Sequence, residues 1–229
     1  MTWPFGRNRT PDGTSVIRHA KVESRLGFTA ESTEEYVAAR EAVYKQLFGE
    51  AEHVSHEIIP LVPHIDVYCH QGKIAGRDVC TLVTGGMSDL PMTLPRGGQG
   101  MARRVELIFY CAEARPEYIA TLRWLAHFPH DVKTCLGLGH TVPNGDPPEP
   151  FWGSEVLDTI LLLAPIVNNH QKLSEQLTIG GDPVHFLWVV PLTTAECHYK
   201  LKHGFGAMMN LFDKHRHPFL FDPARMSYV

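Results

Sequence analysis

The chain has 229 residues, with 21 Lys and Arg against 25 Asp and Glu, a formal charge of −4 that leaves fourteen His uncounted. This balance excludes the clustered positive charge that grips a nucleic-acid backbone. A composition of 44% hydrophobic and 20% charged residues excludes a disordered chain or a coiled coil. The longest wholly apolar run, residues 160–167, is eight long and contains Pro165; a membrane helix needs about 20. The opening MTWPFGRNRTPDGTS lacks the apolar core of a secretory signal. The cysteines, 69, 80, 111, 135 and 197, are odd in number and form no CxxC pair, which reads as reduced, buried thiols in a cytoplasmic protein.

Residues 1–27 carry Pro4, Gly6, Pro11, Gly13 and Gly27 with little periodicity and read as an arm. A helix over about 33–48 follows. Ser32 and Glu35 have the capping-box spacing, Tyr36, Ala39, Val43 and Leu47 recur at helical spacing, and Gly49 stands at the C-terminal end. From His64 the period becomes two, with Ile65, Val67 and Cys69 alternating with polar neighbours, as in a half-buried strand. QGKIAGRD turns the chain into a second strand, 79–84, an antiparallel hairpin with a longer loop. A third strand spans 104–111. Pro116 opens a second helix with Ile119, Leu122 and Leu125 on one face, ended by Pro129. LGLGHTVPNGDPPEP, 136–150, is a long Gly- and Pro-stiffened loop of the kind that is often functional. Strands at 160–163 and 184–190 come next, then a capping box of Thr193 and Glu196, a helix over 194–203 ended by Gly204, and a short helix over 206–214. The C-terminal PFLFDPARMSYV is apolar enough to dock. Hairpins outnumber βαβ units, so the class is α+β with a mixed, mainly antiparallel β-sheet packed with helices.

The histidines invite a metal reading, but their spacing resists it. His127 and His130 are separated by Pro129, no HExxH occurs, and His198 and His203 lie about 140° apart on a helix. His64, Asp66, Tyr68 and His70 share one strand face and form the one local cluster with ligand chemistry; presentation of polar groups to solvent or a partner is the plainer account. No metal and no cofactor is expected. Ser88, in Gly85-Gly86-Met87-Ser88-Asp89, lacks the G-x-S-x-G elbow and reads as a turn-capping hydroxyl. Pro95 to Gly100 precedes a strand rather than opening a helix, which removes a phosphate cradle. The densest polar set is His140 with Asn144, Asp146 and Glu149 on the stiff loop, where Asn144 and Asp146 build turns and the loop as a whole suits binding. Trp124, Trp152 and Trp188 read as core or interface anchors.

These motifs in this order resemble the suppressor-of-fused domain family. The resemblance rests on His64-Ile65-Asp66-Val67-Tyr68, Thr81 to Ser88, Trp124-Leu125-Ala126-His127-Phe128-Pro129-His130, the loop Leu136 to Phe151, Pro191, Glu196 with Tyr199 to Gly204, and Asp222-Pro223 with Arg225. It covers about 50–229 and leaves 1–49 as an N-terminal arm and helix outside the match. It implies a single sandwich-like lobe without a catalytic centre, whereas the eukaryotic member clamps transcription factors between two lobes. The stand-alone form is similar to bacterial members, which are proposed as immunity proteins that neutralise polymorphic toxins. The expected function is therefore a non-catalytic protein-binding module with a protein partner, a toxin domain among them, and neither nucleic acid nor membrane. The expected binding residues are His64, Asp66, Tyr68, Ser88, His140, Asn144, Asp146 and Glu149. The competing expectation is a metal-dependent or His/Asp hydrolase built from the His64–Asp66 strand and the His140–Asp146 loop.

Overall fold

The computed structural model describes residues 34–59, 61–166 and 176–229. In chain order the elements are α1 (Glu34–Phe48), β1 (His53–Ser55), β2 (Asp66–Ile74), β3 (Arg77–Gly85), a 3-10 turn (Met87–Asp89), β4 (Arg104–Cys111) and α2 (Pro116–Asp131). They continue with β5 (Thr141–Pro143), β6 (Leu157–Leu163), β7 (Thr178–Ile179), β8 (Asp182–Thr193), α3 (Thr194–His203) and α4 (Phe205–His215). The eight strands pair mostly antiparallel, and the protein is α+β. Among the described residues two compact units emerge, a larger one of 34–138 with 162–189 and a smaller one of 139–161 with 190–229. The strands β6 and β8 belong in part to each.

In the larger unit the strands follow the order β1-β2-β3-β4-β8, with β4 and β8 parallel and Arg104 opposite Val184. All eight residues of β4 are buried. A central strand with helices on both sides loses the in-out alternation of a solvated sheet. On one side Tyr44 of α1 meets Tyr68 edge-on at 5.4 Å and Phe186 at 6.0 Å. On the other, Tyr118 of α2 meets Phe109 at 5.4 Å. In the smaller unit β5 pairs with β6 from Thr141↔Leu161 to Pro143↔Thr159, and α3 and α4 follow.

Four expectations change. The β2–β3 loop is two residues, not a longer one: pairing runs to Ile74↔Arg77, and Ala75 (φ 50) and Gly76 (φ 80) make the doubly left-handed turn that matches strand twist. Pro129 lies inside α2, which runs on to Asp131, with Val132 N–H donating to Phe128 O as the cap. A proline this near the end sacrifices little of the helix ladder, and His127 and His130 on either side are tied to other elements. The 136–150 loop contains a strand, β5. The buried residues of α1 are Arg40 and Tyr44, not the Ala39/Val43 stripe. The Ser32 half of the proposed capping box lies outside the described residues. By contrast the Thr193–Glu196 capping box forms, with Glu196 N–H donating to Thr193 Oγ1 at 3.1 Å and Thr193 N–H to the Glu196 carboxylate at 2.9 Å.

Candidate functional site

At the centre of the larger unit α1, β3, the 3-10 turn and β4 converge on a buried ionic knot. Arg40 donates to Asp89 and lies 3.8 Å from Glu106, with almost none of its side chain in water. Glu106 is 0% exposed and accepts from Thr84 Oγ1 (2.6 Å), Ser88 Oγ (2.6 Å), Ser88 N–H (3.0 Å) and Gly86 N–H (3.0 Å). Arg104 donates to the carbonyls of Ser88 (2.6 Å) and Asp89 (2.8 Å). The glycines preceding Ser88 make this closeness possible. A Cβ on Gly85 would lie 2.6 Å from the Tyr68 ring and 2.8 Å from Arg40 Cδ, and one on Gly86 (φ 113) 1.9 Å from His64 O. Burial pushes the Glu106 carboxyl above its usual range, and Arg40 and the Ser88 and Thr84 donors pull it back. Burial likewise works against the Arg40 charge, but Glu106 and Asp89 outweigh it and hold the guanidinium pKa above its ordinary value.

This knot moves two expected binding residues inward. Ser88 is completely buried and donates its hydroxyl to Glu106, so it holds the core together and faces no ligand. Tyr68 is buried under α1, with Tyr44 at 5.4 Å. His70 beside it donates from Nδ1 to Gly49 O (3.1 Å) and is also buried. The polar stripe read from β2 is a second core face, closed by a helix that local periodicity cannot place.

His64 and Asp66 do come together, in an acidic and imidazole-rich cluster. His64 Nε2 lies 3.1 Å from Asp66 Oδ1, His56 Nδ1 3.0 Å from Asp66 Oδ2, and Glu57 N–H donates to Asp66 Oδ1 at 3.1 Å. Glu57 also pairs with His127 of α2 at 2.7 Å and accepts from Ile65 N–H at 3.0 Å. Arg123 of α2 donates to Ser55 O (2.8 Å) and Ile65 O (3.0 Å), clamping both ends of the intervening segment. The clamped segment projects apolar side chains into water: Ile58 is 96% exposed, Ile59 53% and Val62 37%. Trp124, between the two anchoring residues of α2, is 43% exposed, with the Phe128 ring tilted against it at 6.0 Å.

In the smaller unit the second half of the expected set occupies a pre-formed loop. Asn144 closes it, accepting from Glu149 N–H (2.7 Å) at its carbonyl and donating from its side chain to Glu149 O (2.6 Å), while its own N–H donates to Asp158 O (2.8 Å). Asn144 therefore builds the loop, and the Asp146 and Glu149 side chains face solvent with half-buried His140 at its start. Glu196 of α3 is the buried hub of this unit. It binds Arg225 at 2.6 and 2.9 Å and accepts from Tyr228 N–H at 3.0 Å, which docks the C-terminal segment.

Sequence reasoning missed Arg40, Asp89, Arg104 and Glu106 because their partners lie tens of residues away and a charge in a helix normally signals a wet face. Glu57, Arg123 and His127 were missed for the same reason. Among the described residues, one grouping of metal-donor side chains has its atoms within 4.8 Å of one another: Glu52, His53 and Cys69.

The family model for suppressor of fused protein (SUFU) matches residues 62–226, and the chain belongs to that family. A suppressor-of-fused homologue from Neisseria gonorrhoeae is similar in structure at a TM-score of 0.62 and 20% identity, over 86% of this chain and 98% of that one. A chain of the Sufu–Fu complex is similar at a TM-score of 0.54 and 12% identity, over 85% of this chain and 91% of that one. Drosophila Suppressor of Fused gives a TM-score of 0.56 and 13% identity over 84% of this chain, which spans 51% of it. No curated protein matches the sequence. Helix α1, which carries Arg40, precedes the matched residues. Among the described residues no helix is long and apolar enough to cross a membrane.

Proposed function

We propose that this protein is a non-catalytic protein-binding module and that its partner is a protein toxin domain, which it neutralises in the cytoplasm. The observation that carries the binding role is the clamped segment with Ile58 at 96% exposure, Ile59 at 53% and the neighbouring half-exposed Trp124. Apolar side chains held in water by two base clamps are pre-organised, so docking them costs little further ordering, and aliphatic and aromatic anchors of this kind carry most of an interface's energy. Exposed His56, with half-buried His64 and Asp66, adds polar groups at the ends of the same segment. Family membership supports the same reading, since a relative is known in a Sufu–Fu complex. The Asp146 and Glu149 loop offers a second contact face in the smaller unit. Burial of Ser88 together with its acceptor Glu106 supports a structural use of that hydroxyl over a nucleophilic one.

The test is co-expression with the product of each neighbouring gene that proves toxic when expressed alone. Growth protection and co-purification are expected, and Ile58→Asp, at a side chain that touches almost nothing, is expected to abolish both while leaving the melting temperature unchanged. A toxin that is neither bound nor neutralised would overturn the immunity role. A toxin bound equally well by Ile58→Asp would overturn this contact surface.

A further inference from the structure

Three neighbouring strands of the larger unit bring sulfur, nitrogen and oxygen donors onto one sheet face. His53 of β1 stands directly opposite Cys69 of β2 in the antiparallel register, and cross-strand partners share a face. On β2 and β3 the pairs Cys69↔Leu82 and Gln71↔Cys80 put Cys69 and Cys80 on that same face as diagonal neighbours. Their sulfurs are 3.0 Å apart. Cys111 of β4 is the direct cross-strand partner of Cys80. Glu52 is held in place by its own N–H donating to Cys69 O at 2.8 Å and by Gln71 Nε2 donating to its carboxylate at 3.0 Å, which leaves Glu52 Oε2 4.0 Å from Cys69 Sγ. The donor atoms of Glu52, His53 and Cys69 lie within 4.8 Å of one another, with Glu52 and His53 exposed and the thiol buried beneath them.

From this placement we infer that Glu52, His53, Cys69 and Cys80 form a binding site for a single thiophilic d10 cation of the zinc or cadmium class. Two thiolates, one imidazole and one carboxylate are the donor set such cations take in four-coordinate sites. Two metal–sulfur bonds of about 2.3 Å at a tetrahedral angle place sulfurs roughly 3.8 Å apart; Glu52, His53 and Cys69 are already grouped, and Cys80, 3.0 Å from Cys69 Sγ but outside that group, completes the set by a shift of its side chain toward the ion. Glu52 and His53 stand at the surface as the entry, and β1 is an edge strand of only three residues, so the ion ties that edge to the sheet. A thiol must lose its proton to ligate a metal, so binding releases about two protons per ion and affinity climbs with pH.

The experiment is anaerobic titration of the reduced, full-length protein with Cd²⁺ and Zn²⁺, followed by thiolate-to-cadmium charge-transfer absorption and by proton release. One equivalent of Cd²⁺ is expected to saturate the band with release of about two protons. Cys69→Ser and Cys80→Ser are expected to abolish the band, and Cys197→Ser, in the smaller unit, to leave it intact. Because core substitutions can disturb folding, His53→Ala and Glu52→Ala serve as surface variants, each expected to weaken affinity at least tenfold with an unchanged circular dichroism spectrum. A missing band, a band retained in Cys69→Ser, or affinity unaffected in both surface variants would overturn the site.

Discussion

Replacing Arg40 with Ala gives the sharpest test of the core. The guanidinium is the counter-charge to two carboxylates, Asp89 and Glu106, at sites with 2%, 5% and 0% side-chain exposure respectively. Removing one partner of a buried pair leaves an uncompensated charge and costs about 3–5 kcal/mol. For a chain of this size that is a fall in melting temperature of roughly 6–20 °C, at about 2–4 °C per kcal/mol. The cost has a pH signature. Burial already raises the Glu106 pKa above the unfolded value, with Arg40 the main opposing influence. Without Arg40 the folded pKa rises further, so the folded state binds a proton that the unfolded state releases, and stability is lost as pH rises from the unfolded value through the folded one. The deficit of Arg40→Ala relative to the parent is therefore largest at high pH and shrinks as pH falls and Glu106 takes up a proton. Urea or thermal melts of both proteins at several pH values measure it. A deficit under about 1 kcal/mol, the scale of a surface ion pair, or one that does not change with pH, would refute the reasoning.

Two further outcomes follow from other buried groups. Arg225→Ala removes the cation that Glu196 and the Pro191 carbonyl hold at 2.6–2.9 Å, so the C-terminal segment should release and limited proteolysis should cut it, at a stability cost of about 3–5 kcal/mol; an uncut tail would contradict the docking. Burial lowers His130 to a pKa of about 4, against a hydrogen bond to Met87 O, so its folded form binds fewer protons than the unfolded form below pH 6.5. Stability should then fall as pH drops from 6.5 toward 4, and His130→Gln should flatten that part of the profile in thermal melts; an unchanged slope would count against burial as the cause.

Much of the fold was legible in the sequence because local chemistry decides it. Alternation located β2, β3 and β4, Pro116 opened α2, and Thr193 with Glu196 capped α3. The ordered motifs pointed to the family whose model matches residues 62–226. The site was legible only in part. His64 and Asp66 do meet, and the stiff loop is closed by Asn144, as short-range geometry implied.

What tertiary structure alone decided is which polar residues go inside. A sequence window shows that Arg40 is charged and that Tyr68 and His70 alternate with apolar neighbours; it does not show that α1 lies on that side of the sheet with a guanidinium aimed at Glu106, 66 positions away. It also cannot show that Arg123 grips the backbone at Ser55 and Ile65 and so holds two isoleucines in water. Period, caps and turns are written within a few residues of where they act. Charge compensation in a low-dielectric core depends on which distant segment arrives there, and only the folded chain determines that.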